Sequence, residues 1–298
     1  MKLGIVGLGL IGGSLGLDAR ALGHVVVGVS RKLSTCQRAI TRGAVDDASV
    51  DGSILSTVDM VVLCTPLSDI LATTEKILPF LPKTSILTDV GSVKAPIVSQ
   101  MQELLIQANS ENPFVGGHPM AGTANAGIEA AIPNLFRGNP YVLTPTSTTP
   151  HQAVEVVADL VRSLGANLYQ CDPDTHDRAV ALISHLPVMV SASLIQVCRT
   201  ERDPLVRELA IQLASSGFRD TSRVGGGNPE LGRLMAEFNR DALLASLHQY
   251  RSQLDQIIGQ VESGEWNALE GHLLQTQRDR PLYLKEHLKE HLKEHLKE

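Results

Sequence analysis

A doubly wound, mainly parallel α/β sheet followed by an all-helical domain is the architecture this chain predicts, from three observations. Short apolar runs fit for buried strands recur through the first half, with helix-patterned stretches between them. The first run leads directly into GLGLIG, a glycine turn between a strand and a helix. After Cys171 no convincing strand appears, and apolar residues fall at helical spacing.

Taken in order, Lys2–Val6 reads as a buried strand and Ile11–Leu22 as a helix, so Gly7, Gly9 and Gly12 sit at the turn between them. Glycines there let the backbone approach a pyrophosphate, and the helix N-terminus offers free N–H groups. Gly7, Leu8, Gly9, Leu10, Ile11 and Gly12 are therefore expected to bind a dinucleotide in a Rossmann-type domain. A second strand is expected at His24–Val29. NAD-binding domains usually end this strand in Asp or Glu for the ribose 2′-hydroxyl. This chain has Ser30, Arg31 and Lys32, then Thr35. A carboxylate would repel a 2′-phosphate, whereas a hydroxyl and two cations attract one, so NADP is expected over NAD. Plain solvation of an exposed turn would also account for the two charges.

Further strands are expected at Met60–Cys64, Ser85–Asp89, Phe114–Gly116 and Tyr141–Leu143, and helices at Ile70–Phe80 and Ala95–Ala108. Ligands of such sheets bind beyond the carboxyl ends of the strands. The residues there include Cys64–Thr65–Pro66, Gly91–Ser92 and Gly117–His118. The segment FVGGHPMAGT places His118 after Gly116 and Gly117 and before Pro119. Glycines leave open space and proline stiffens the exit, so the imidazole reads as presented to a ligand at the nicotinamide end of the crevice.

The second half begins with a long helical stretch, DTHDRAVALISHLPVMVSASLIQVCR, whose proline could kink it. Leu205–Ala214, Glu230–Glu237, Arg240–Gln260 and Glu265–Gln275 also read as helices. Long apolar helices with few partners suggest a homodimer through this half. His185 reads equally well as a core histidine or a site residue. SSGFRDTSRVGGGNPELG is glycine-rich and reads as a loop. Its Arg223 is either solvated or a bidentate ligand for a carboxylate, with the glycines allowing close ligand approach.

Length and charge narrow the classes. The 298 residues suit two domains, 1–171 for the dinucleotide and 172–283 for substrate and dimerisation, with 284–298 a repetitive tail. That tail, LKEHLKEHLKEHLKE, sets Leu284, Leu288, Leu292 and Leu296 on one helix stripe and His287, His291 and His295 on another. Histidines four apart can chelate a metal, but a solvated helix needs none, so no metal is expected. A net charge of −6 argues against a nucleic-acid partner. No stretch reaches the roughly 18 uninterrupted apolar residues of a membrane span. Four scattered cysteines without a CxxC pair point to a reducing, cytoplasmic location.

GLGLIGGSL, DVGSVK at Asp89–Lys94, GGHPMAGT at Gly116–Thr123, SHLP at Ser184–Pro187 and GFRDTSR at Gly217–Arg223 occur in an order that resembles the prephenate and arogenate dehydrogenases. The resemblance spans residues 1 to about 280. It implies an enzyme that oxidatively decarboxylates a cyclohexadienol, with tyrosine as the product from arogenate. His118 would bind the ring hydroxyl and take its proton, and Ser92 would orient His118 and the nicotinamide. Arg223 would hold the ring carboxylate, with Gly117, Thr123 and His185 completing the substrate site. Relatives that use prephenate often carry a second histidine in HLPH, where this chain has Val188, and some carry Glu where it has Ala124. Arogenate with NADP is thus the expected pair, and prephenate with NAD the alternative. A 2-hydroxyacid or imine reductase, or a non-catalytic NADP sensor, would leave His118 and Arg223 unexplained.

Overall fold

The computed structural model describes residues 1–123 and 125–284. Ala124 and the repeat beyond Leu284, with its leucine and histidine stripes, lie outside the described residues. Internal packing divides the chain into a unit Met1–Leu243 and a second unit beginning at Leu244.

The first unit is built on β1 (Lys2–Val6), α1 (Leu10–Ala21), β2 (Val25–Val29), α2 (Leu33–Thr41), β3 (Asp47–Ser49) and β4 (Met60–Leu63). Next come α3 (Ile70–Ile77), β5 (Ile86–Asp89), α4 (Ala95–Gln107), β6 (Phe114–Pro119), β7 (Pro140–Thr144), α5 (His151–Ser163) and β8 (Asn167–Gln170). Eight strands form one sheet in the order β3-β2-β1-β4-β5-β6-β7-β8. Every neighbouring pair is parallel except β6 with β7. Successive strand residues point to opposite faces, and both faces are covered. Leu3 and Ile5 of β1 enter one apolar layer with Leu15 of α1 and Val157 of α5. Val6 enters the other, with Ile70 of α3 and Ile97 and Met101 of α4.

Most predicted strands and helices are present with ends shifted by a residue or two, but the helix expected at Ile70–Phe80 ends at Ile77 before a 3-10 turn, the one expected at Glu265–Gln275 runs from Trp266 to Leu284, and two strands are added. Neither addition carries an apolar alternation: β3 is DAS and β8 is NLYQ, both at sheet edges. The largest change is in β6. It extends through Pro119, and His118 lies inside the strand, not past its end. Its parallel pairing with β5 covers only Phe114 and Val115. From Gly116 to Pro119 the strand pairs antiparallel with β7 instead, setting His118 opposite Val142.

The helical part contains α6 (Pro173–Val180), α7 (Leu186–Arg199), α8 (Pro204–Leu213), α9 (Ser216–Ser222) and α10 (Pro229–Phe238). Then follow α11 (Arg240–Glu262), within which the second unit begins, and α12 (Trp266–Leu284). Ala181–His185, between α6 and α7, is a single π turn. Pro187 follows it; a proline lacks the N–H of the regular ladder and crowds the preceding turn, and the wider turn relieves both effects. Pro173–Arg199 is long and apolar enough to cross a membrane by length and composition alone, with 22% of its most apolar window buried. Leu182, Ile183 and Val197 along it are exposed.

The segment read as a loop around Arg223 is mostly helical, with α9 running into a 3-10 turn at Arg223–Gly226. One of its glycines has a structural use. A Cβ on Gly225 would lie 2.4 Å from the Ala192 nitrogen, and the Gly225 N–H donates to Ser191 Oγ at 2.8 Å. Gly225 thus allows the turn to approach α7, not a ligand.

Candidate active site

A cleft of about 1120 Å3 runs along the carboxyl ends of β1, β2, β4, β5 and β6. At one end are Gly7, Leu8, Gly9, Leu10 and Ile11, with Cys64, Thr65 and Pro66 and with Ser30, Arg31, Lys32 and Thr35. Gly91, Ser92, His118 and Ser184 lie on the same cleft, joined by Asn228, Glu230 and Leu231 around the start of α10.

The glycine turn is shaped for a phosphate. Gly7 has φ of +103°, in the region that favours glycine, and a Cβ there would lie 2.5 Å from the Cys64 carbonyl oxygen. Gly12 lines no part of the cleft: its Cβ would strike the Gly7 carbonyl oxygen at 2.1 Å, so its absence lets α1 pack on the turn. Gly9 differs, since a Cβ there would meet nothing within 4 Å. It is also the N-cap of α1 and supplies no side-chain cap, which leaves the first N–H groups of the helix for an anion. Nearby, the buried Thr65 Oγ1 has no partner among the described residues. These features fit a dinucleotide pyrophosphate. At the same end of the cleft Arg31 is 87% exposed, in a long contact of 3.5 Å with Asp69 that holds it weakly. Ser30 occupies the end of β2 where an acid would bind the ribose 2′-hydroxyl.

His118 is 8% exposed and reaches the cleft. Its neighbouring glycines do not open space for a ligand, contrary to the sequence expectation. A Cβ on Gly116 would lie 2.5 Å from Thr144 Oγ1, and one on Gly117 would lie 2.7 Å from the Asp89 carbonyl oxygen. Both glycines admit protein atoms. The Gly117 N–H donates to Asp89 Oδ1 at 3.1 Å, and its carbonyl accepts from Lys94 Nζ at 2.9 Å. Lys94 and Asp89 form an ion pair with both side chains wholly buried. A side-chain pair therefore grips the Gly117 peptide where β6 has left β5.

The imidazole of His118 has its own support. Its Nδ1 lies 2.9 Å from Nε2 of His176, and Nδ1 of His176 lies 2.7 Å from Asp177 Oδ1. Asp177 also accepts the backbone N–H groups of Lys94 at 2.7 Å and Ala95 at 2.8 Å, which open α4. Burial pushes the His118 pKa well below the ordinary histidine range, and electrostatic interaction with His176, Lys94 and His185 pushes the same way. His118 is therefore neutral near pH 7 and able to accept a proton. Burial likewise lowers Lys94, against the pull of Asp89, and raises the Cys64 thiol, which makes Cys64 a poor nucleophile.

The remaining expected substrate residues fall outside the cleft lining. His185 is fully buried in the π turn, with Nδ1 3.2 Å from the Asn239 side-chain nitrogen and a pKa lowered by burial to about 4. Its Nε2 has no partner among the described residues. Thr123 is exposed and its Oγ1 accepts from the Asn125 N–H at 3.2 Å. Gly117 is buried within β6, and Arg223 is exposed on its 3-10 turn. Conversely, the expectation missed Asp89, Lys94, His176 and Asp177. DVGSVK was noted as a motif, and Asp89 and Lys94 stand at its two ends.

A doubly wound domain with a phosphate-shaped glycine turn and a neutral histidine on the same cleft defines a nucleotide-dependent dehydrogenase. Two family matches specify it further: "Prephenate dehydrogenase, nucleotide-binding domain" over residues 15–170 and "Prephenate dehydrogenase, dimerization domain" over residues 172–275. The chain belongs to the prephenate dehydrogenase family, as its motifs implied. It is 52% identical to the solved arogenate dehydrogenase of Synechocystis, with TM-score 0.87 over 95% of this chain and 100% of that one. A prephenate dehydrogenase of A. aeolicus, solved with hydroxyphenyl propionate and NAD+, is 25% identical with TM-score 0.86, covering 94% of this chain and 97% of that one. The prephenate dehydrogenase of Bacillus subtilis is 32% identical over 87% of this chain and 69% of its own length.

Proposed function

We propose that this enzyme converts L-arogenate to L-tyrosine with NADP+ as hydride acceptor. The observation that carries the reading is His118: buried, neutral and open to the cleft that the glycine turn begins. A dinucleotide held along Gly7–Ile11 and Cys64–Pro66 would supply a hydride acceptor for the ring carbon that bears the hydroxyl. His118 takes the proton of that hydroxyl and so favours carbonyl character at the carbon. Loss of carbon dioxide from the opposite ring carbon restores aromaticity, and His118 returns its proton to the phenolic oxygen. Ser92, half-buried on the cleft, orients the reacting groups. Arg223 is the proposed ligand of the ring carboxylate. It lies on the turn just before Asn228 and Glu230, which line the cleft.

The coenzyme choice rests on Ser30, Arg31 and Lys32 along the cleft, with no acid at the end of β2. The substrate choice rests on Val188 in place of a second histidine and on the 52% identity to the Synechocystis arogenate dehydrogenase. Initial rates with arogenate or prephenate, each with NADP+ or NAD+, test both. The highest kcat/KM is expected for arogenate with NADP+. Preference for prephenate with NAD+ would overturn both choices while leaving the family intact.

The pH profile follows from His118. Protonation as pH falls removes the base, and the depressed pKa displaces that loss downward. kcat/KM should hold its plateau through pH 6.5, the ordinary histidine value, and decline only below it. An acid limb centred at or above 6.5 would contradict the assignment of His118 as base. The assembly is a homodimer through the helical half, supported by the match to a dimerization domain and by the exposed apolar residues of Pro173–Arg199. The cytoplasm is the proposed location, supported by four free thiols.

A further inference from the structure

The geometry points to Asp177 and His176 as positioning residues that set the tautomer of His118, holding its cleft-side nitrogen bare as the proton acceptor. The proposal rests on the reading of His118 as the base.

The hydrogens follow from the acceptors. Asp177 faces three N–H sources, the backbone groups of Lys94 and Ala95 and the His176 ring, and an ionised carboxylate only accepts. His176 Nδ1 must then be the donor to Asp177. In neutral His176 the other nitrogen, Nε2, carries a lone pair, and it lies 2.9 Å from His118 Nδ1. His118 Nδ1 must carry the hydrogen between them, which leaves His118 Nε2 unprotonated. The opposite arrangement needs an imidazolium at His176 or a reversed Asp177 contact. The first would bury a second cation near the Lys94 ammonium, and the second would set two acceptors against each other. When His118 Nε2 takes the substrate's hydroxyl proton, the resulting imidazolium keeps its Nδ1 bond to His176. The Asp177 carboxylate balances its charge through that ring, with no proton passing to Asp177.

Fixing this tautomer needs more than proximity. Asp177 is itself anchored by the first turn of α4, and His176 is 2% exposed. Their common frame joins the start of α4 to α6, so the ring that faces His118 cannot turn freely.

Nitrogen-15 NMR of the imidazoles in the intact wild-type protein, without substrate, reads the tautomer directly. Nδ1 of His118 is expected to bear hydrogen and Nε2 to be bare; hydrogen on Nε2 overturns the proposal even if the enzyme proves active on arogenate. Two variants then separate positioning from packing. His176→Gln offers an amide donor to Asp177 and an amide oxygen to His118, so it should keep the tautomer and lose less than about tenfold in kcat. His176→Leu removes both contacts and should mix the tautomers and lower kcat about 100-fold, with KM within about threefold. Equal kcat in the two folded variants overturns the proposal. Full activity in a His118→Asn variant would refute the base reading instead, while the NMR result would still stand.

Discussion

His118→Asn is expected to lower kcat by about 1000-fold, within the range for loss of a positioned general base. Asparagine keeps a polar tip but has no group that can take the hydroxyl proton near neutral pH. The backbone at this position should persist, because it is laddered to β7 and gripped at Gly117 by Lys94 and Asp89. The proposed coenzyme contacts lie on other elements that line the cleft, at Gly7–Ile11, Ser30–Lys32 and Cys64–Pro66. NADP+ affinity should therefore stay within about threefold, since no contact of that set is touched. Initial rates and a fluorescence titration of the coenzyme test the two halves. Turnover within tenfold of wild type would remove His118 from the chemistry. Lost turnover together with lost NADP+ binding would show a collapsed cleft instead.

Lys94→Met is expected to destabilise the protein by about 3–5 kcal/mol, the range for breaking a buried ion pair at one partner. Methionine matches the stem of lysine, so packing alone predicts a small change. The effect comes from Asp89, which is wholly buried and loses its only counter-charge among its described contacts. Asp89 would keep the N–H groups of Gly91 and Gly117, while the Gly117 carbonyl would lose its donor. Against a typical total of about 5–15 kcal/mol, such a loss should be plain in the denaturation midpoint. Adding Asp89→Asn to the Lys94→Met chain removes the uncompensated charge and should recover part of the stability. A single variant within 1 kcal/mol of wild type, about the median effect of a point mutation, would show that the pair is not what holds this region.

The strand-turn-helix at Lys2–Ala21 was legible because every part of its signal is contiguous. An apolar run, three glycines and a helical pattern follow one another without a gap. β3 and β8 were not, since short polar edge strands are defined by their neighbours and lack alternation of their own. His118 was recognisable from its setting, but its surroundings were misread. Glycines in sequence signal missing bulk without saying what fills the space, and at Gly116 and Gly117 the filling is protein.

The same limit hid Lys94, His176 and Asp177. Lysine is rarely fully buried, so nothing in DVGSVK marks Lys94 as an interior cation. In PDTHDRAV, His176 and Asp177 read as an ordinary polar helix start. The sequence by itself determined the family, the alternation of strands and helices and the glycine turn, because each is written in residues close together along the chain. Only the tertiary structure decided what supports His118 and in which form it is held. Its ring partner lies 58 residues away, and Asp177 meets Lys94 across 83. Those distances close only when the sheet sets β5 beside β6 and α6 docks at the start of α4. The charge state of a histidine is then fixed by burial and by the neighbours that docking supplies, which residue type alone does not specify.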